Sequence, residues 1–306
     1  MTDMRVIATG LSFPEGPVAM RDGSVGLVEI ERQTVSRVHP DGRVEVIART
    51  GGGPNGLAVG PDGAFYICNN GGFAFRYEMG LLRPVAPASD YTGGRIERLG
   101  PATGALSVLY DRCGEHTLCG PNDIVFDAQG GFYFSDLGKS RARDRDHGGL
   151  YYATADGSRI VEVAYPILTP NGVGLSPDGR TVYVAETETA RLWAFDLESP
   201  GVAREHPFPS PHGGRLVAGL GGYQRFDSLA VDATGNICVA TLLSGCISVI
   251  APDGQLLRQV RTGDPVTTNI CFGGPDLRTA YVTLSGIGHL VSFDWSEAGL
   301  PLAHQV

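Results

Sequence analysis

One pattern recurs six times along the 306 residues, and it leaves few folds open. Each copy has a polar residue, a short apolar strand, a Gly-containing turn, and a second strand rich in Tyr, Phe and Val. The copies begin at Glu15 (EGPVAMRDGSVGLVEI), Asn55 (NGLAVGPDGAFYICNN), Asn122 (NDIVFDAQGGFYFSD), Asn171 (NGVGLSPDGRTVYVAET), Asp227 (DSLAVDATGNICVAT) and Asn269 (NICFGGPDLRTAYVT). Their spacing of 40 to 67 residues suits a four-stranded blade with its loops. Two more strands follow in five of the units, such as 34–39 and 43–48 after Glu15. The last unit has one more, 289–294, and the strand it lacks is available at 5–9. The expectation is an all-β, six-bladed propeller forming a single domain over 1–306, its last blade completed by the N-terminal strand, which removes an open sheet edge. Nothing demands a helix, and a β-sandwich does not explain six equivalent units.

Composition agrees. The 44 Gly and 20 Pro imply frequent turns, and RDG, PDG, AQGG and ATG are hairpin chemistry. A net charge of -9 offers no basic stripe for nucleic acid and repels anionic membrane surfaces. No apolar run approaches the roughly 20 residues of a membrane helix. The N-terminus lacks the basic and apolar regions of a signal peptide. Six scattered cysteines without a C-x-x-C favour reduced thiols and a cytoplasmic protein. Cys113 and Cys119 stand close enough in sequence for a loop disulfide, but free thiols are the expectation. Gly51–Gly56 matches G-x-G-x-x-G yet enters a strand, which argues against a dinucleotide site. The run from Arg141 to His147 reads as a solvated loop.

In a ring, the six leading residues converge at one mouth of the central channel. Glu15, Asn55, Asn122, Asn171, Asp227 and Asn269 supply two carboxylates and four amides, with no thiolate or imidazole. Hard divalent cations favour such oxygen donors, Ca2+ above all.

FPEGP around Glu15, GPNDIVFD around Asn122, PNGVGLSPDG around Asn171 and FDSLAVDATGN around Asp227 occur in order over nearly the whole chain. In this the chain resembles the senescence-marker-protein, gluconolactonase and luciferin-regenerating-enzyme family, to which diisopropyl fluorophosphatase is related. The resemblance implies a six-bladed propeller with one catalytic divalent metal held by Glu15, Asn171 and Asp227. Asn122 resembles a residue that is a metal ligand in the phosphatase branch and contacts substrate in the sugar-lactonase branch. Ca2+ leads the candidates for that ion, ahead of Zn2+, Mn2+, Mg2+ and Fe2+. Sugar lactonases of the family commonly carry Arg two residues before the Asn that matches Asn122; here that position is Gly120. The second unit also holds an apolar insertion, 69–94, read either as packing or as a lid over a more hydrophobic pocket.

These readings lead to a metal-dependent hydrolase of a cyclic ester, a lactonase with a small-molecule substrate, in which Asp227 acts as general base. Asn122, Asn55, Phe73, Tyr77, Tyr91, His116 and Tyr223 are the expected substrate-binding residues. His116 and Tyr223, from blade-to-blade connections, are expected to lean over the metal. Two rivals stay open: phosphotriester or other ester hydrolysis at the same metal, and a non-catalytic binding platform with a structural ion.

Overall fold

The computed structural model describes residues 3–100 and 102–304. Among them there is no helix, and the strands form six antiparallel blades. Blade 1 runs Pro14–Ala19, Val25–Glu29, Thr34–Val38, Val44–Arg49 from the axis outward. The inner strands of blades 2 to 6 are Pro54–Val59, Pro121–Phe126, Pro170–Leu175, Arg225–Val231 and Thr267–Gly273. Each inner strand packs against the inner strands of both neighbouring blades, and that of blade 6 packs back on that of blade 1. The ring is therefore closed. Its seam is the strand Arg5–Ala8, which pairs antiparallel with His289–Asp294 as the outer strand of blade 6.

Burial falls off radially, and that gradient explains the sequence pattern. Second strands such as Phe65–Asn69 and Gly131–Asp136 are covered on both faces by adjacent blades, so they read as unbroken buried runs. Outer strands such as Val44–Arg49 and Leu256–Arg261 face solvent. Between blades 2 and 3 the packing is aromatic: Tyr66, Phe126, Phe132, Phe134 and Tyr151 form one cluster. Phe132 is fully buried, so Phe132→Ala would cost about 3–5 kcal/mol.

One segment differs from the sequence expectation, and at a second the expected free thiols are found within a short hairpin. The insertion in blade 2 is no irregular loop; it forms a hairpin, Phe73–Glu78 paired with Leu81–Pro87. The segment around Cys113 forms a short hairpin, Arg112–Cys113 with His116–Thr117, and all six cysteines are free thiols.

Beyond Trp295 the chain turns under the ring. The Ala233 amide donates to the Ala298 carbonyl (2.8 Å) and the Leu300 amide to the Val231 carbonyl (3.0 Å), both at blade 5. The His304 ring then meets Phe126 of blade 3 edge-on, 5.5 Å between centroids. The tail thus crosses the bottom of the channel. Above it lies a cavity of about 350 Å³ walled by Leu57, Ile124, Val173, Leu229, Ile270 and their neighbours, reaching up to Asp123 and Asn269.

Candidate functional site

The six leading residues stand where the inner strands begin, at the top mouth of the channel. All six are buried. Every inner strand breaks its ladder register at this point, from Glu15/Val18 in blade 1 to Thr267/Asn269 in blade 6. Such bulges twist a strand and re-aim its side chains, here toward the axis. The glycine that follows three of the leading residues lets the blades close up. A Cβ at Gly16 would lie 2.6 Å from the Asn55 carbonyl oxygen, and one at Gly172 would lie 2.7 Å from that of Asp227.

Glu15 accepts from the Gly16 amide and the Asn269 side-chain amide, each at 2.9 Å. Burial nevertheless pushes its carboxyl up to about 7. Asp227 is raised well above the usual aspartate range, first by burial and then by the charge of Glu15. Asn171 donates to the Thr187 hydroxyl at 3.0 Å, and its own oxygen receives only a long contact from the Ser228 hydroxyl, 3.4 Å. The Asn122 side-chain oxygen is buried without a hydrogen-bond partner.

A third carboxylate escaped the sequence reading. Asp123 is buried beside Asn122 and accepts from the Val173 amide of blade 4 at 3.2 Å. Burial, followed by the charge of Glu15, raises it to about 7. Its signal was faint, because alternation along a flat strand sends only one of two successive residues to the axis.

This arrangement suits a cation. Three desolvated carboxylates repel one another, and an orphaned amide oxygen wants a positive partner. Among the described residues no three His, Cys, Asp or Glu side chains cluster as a metal-holding group. The set therefore depends on amide oxygens: Glu15 and Asp227 with Asn122 and Asn171 could hold a hard divalent ion.

The proposed substrate contacts divide. Asn55 is buried in the ring. Phe73 and Tyr91 lie at the root of the insertion on either leg, where the Tyr91 hydroxyl donates to the Cys119 carbonyl at 2.7 Å. Tyr77 is 72% exposed farther along the hairpin, and Tyr223 is 81% exposed before blade 5. His116 is exposed on the short hairpin, whose Cys113 thiol contacts the Ile160 carbonyl of the outer strand of blade 3, 3.9 Å. That places His116 at the rim instead of over the channel, since its hairpin packs outward against blade 3.

Gly120 has a steric reason. Its amide donates to Asp136 at 2.7 Å, and a Cβ there would come within 2.7 Å of the Gly138 carbonyl oxygen. The next residue in that turn, Lys139, was also missed. It is 1% exposed, with its ammonium donating to the Asn70 side-chain oxygen (3.1 Å) and the Gly72 carbonyl (2.9 Å). It lies 3.7 Å from the centre of the Phe73 ring and 5.2 Å from that of Tyr91. Burial pushes its pKa down to about 7 against the opposing pull of Asp136 and Asp146.

With this geometry in view, comparison with known proteins is decisive. The model of the SMP-30/gluconolactonase/LRE-like region matches residues 13–286. The chain belongs to this family. It is 27% identical over 301 residues to the gluconolactonase of Zymomonas mobilis, covering 89% of this chain and 76% of that one. It is 28% identical over 248 residues to the lactonase drp35 of Staphylococcus saprophyticus, covering 80% and 68%. Among solved structures, the calcium-binding regucalcin of Agrobacterium tumefaciens superposes with a TM-score of 0.76 at 21% identity, over 100% of this chain and 98% of that one. That likeness shows the propeller fold.

Proposed function

We propose that this family member hydrolyses lactones at the top mouth, with a divalent cation held by Glu15, Asn122, Asn171 and Asp227. The observation that carries this reading is the gathering of desolvated carboxylates and an unpartnered amide oxygen at one point on the axis. The family relatives named as lactonases support the same reaction class. When bound, such an ion supplies Lewis-acid polarisation of an ester carbonyl. Asp227, a buried carboxylate at the channel axis, takes the proton of the attacking water and passes it to the departing ring oxygen. Asn171, itself oriented by Thr187, helps to fix the Asp227 carboxylate. Asn122 and Asn55 offer amide groups to the ring oxygens of the substrate.

The substrate we favour bears an apolar substituent. Gly120 leaves no room for a guanidinium aimed at sugar hydroxyls, while Phe73 and Tyr91 add aromatic area at the base of the insertion. Covering apolar surface is worth roughly 25 cal/mol per Å², enough for a modest alkyl group to shift preference severalfold.

A panel of alkyl, aryl and sugar lactones, followed by acid release, tests both statements. Activity should vanish on chelation and return on adding back a single metal. Asp227→Asn should lower kcat by roughly 100-fold or more with the fold retained. Full turnover in metal-free protein would overturn the mechanism. A preference for gluconolactone that Tyr91→Ala leaves unchanged would overturn the apolar pocket.

A further inference from the structure

The insertion reaches well beyond its own blade. Phe75 packs on Phe13, just ahead of Glu15, with ring centroids 5.2 Å apart. Farther on, the Leu82 amide donates to the Gly286 carbonyl of blade 6 at 2.8 Å. The hairpin therefore arches from blade 2 over blade 1 to blade 6, along half of the mouth. Its two legs leave the blade at Gly71 and Gly72 (φ 78° and 97°) and return at Gly93 (φ 119°), backbone states that side chains resist.

At the root, both legs converge on one buried ammonium. Lys139 bonds Asn70 and Gly72 on the outgoing leg, and its charge faces Phe73 on that leg and Tyr91 on the returning one. Tyr91 in turn bonds Cys119, and the Gly94 amide donates to the Leu118 carbonyl at 2.7 Å, three and four residues before Asn122. Burying a charge is costly unless it is well partnered. A methionine of similar length would fill the same space without that cost, so the lysine's presence is tied to what it holds together.

We propose that Lys139 is a positioning residue that clamps the root of the 71–94 arch, presenting Phe73 and Tyr91 to the substrate in one fixed arrangement and so setting the preference for apolar lactones. The selectivity half of this statement rests on the lactonase reading; the clamp itself does not.

Limited proteolysis separates the two. Arg76 is exposed on the hairpin, whereas Arg83 precedes Pro84 and resists trypsin. Cleavage of the Arg76–Tyr77 bond, read by mass spectrometry, therefore reports opening of the arch. In Lys139→Met that cleavage should accelerate about tenfold or more with the propeller still folded. The ratio of kcat/KM for an alkyl-substituted over an unsubstituted δ-lactone should fall roughly fivefold, mostly through KM. If Lys139→Met does not fold, Phe73→Leu removes the nearest ring face and must show the same faster cleavage. Cleavage within about twofold of wild type in the folded variant overturns the clamp. Faster cleavage with an unchanged substrate ratio overturns its role in selection. A wild type that opens no lactone sinks the lactonase reading and leaves the proteolysis to decide the clamp.

Discussion

Glu15 and Asp123 sit in the ring with pKa values near 7 instead of their usual 4.5 and 3.8. The folded, cation-free protein thus binds more protons than the unfolded chain across that interval. The stability these groups contribute is full below about pH 4 and is lost as the pH rises through about 7, by at most about 1.4 kcal/mol per pH unit for each proton. In chelator the melting temperature should fall between about pH 5 and about pH 8, and Ca2+ should restore most of it at the alkaline end. A chelated protein that is equally stable at both ends would contradict the charge assignment. Exposed aspartates such as Asp156, lowered to about 2, titrate below this window, whereas Lys139, lowered to about 7, works against the fall only above that pH. Gly120 gives a second residue-scale test. Gly120→Ala forces the Gly138 turn to move and should cost about 1–3 kcal/mol in denaturant unfolding, and Gly120→Arg more. Wild-type stability in Gly120→Arg would show that the missing arginine has no steric cause. The leading residues were legible because each opens a repeated hairpin. Asp123 was not, because only the bulge turns a second residue of the same strand inward. Nor was Lys139, whose burial is imposed by residues 70–91, far away in sequence.

At the level of elements, the strand Arg5–Ala8 bears on the whole ring. Two of its four residues are exposed, so little burial holds it, yet it covers the edge of His289–Asp294. Removing it leaves that edge unpaired, and the expected result is aggregation or a melting temperature lower by about 10 °C or more, measured by scanning fluorimetry and light scattering. An unchanged melting temperature would mean that blade 6 holds without its outer strand. The pairing was readable from the sequence because one unit lacked a strand and one strand lacked a unit. The arching hairpin was harder. Phe73, Phe75 and Tyr77 alternate with Ala74, Arg76 and Glu78, a period-two signal, but its strands pair only with each other, outside the repeat. Its contacts with Phe13 and Gly286 belong to blades distant in the chain and have no sequence mark.

For the molecule as a whole, the tail from Ala298 to His304 matters for traffic. It lies across the bottom of the channel, against blade 5 on one side and Phe126 of blade 3 on the other. With that end partly covered, the polar ring is reached most directly from the top mouth, where the leading residues stand. An opened lactone is a hydroxy acid, so the departing product and the next incoming ring contend for the same polar ring. Product should therefore act as a competitive inhibitor, raising the apparent KM while leaving kcat untouched, and initial rates with added hydroxy acid would reveal it. A purely noncompetitive pattern would mean that the hydroxy acid binds at a place other than the polar ring.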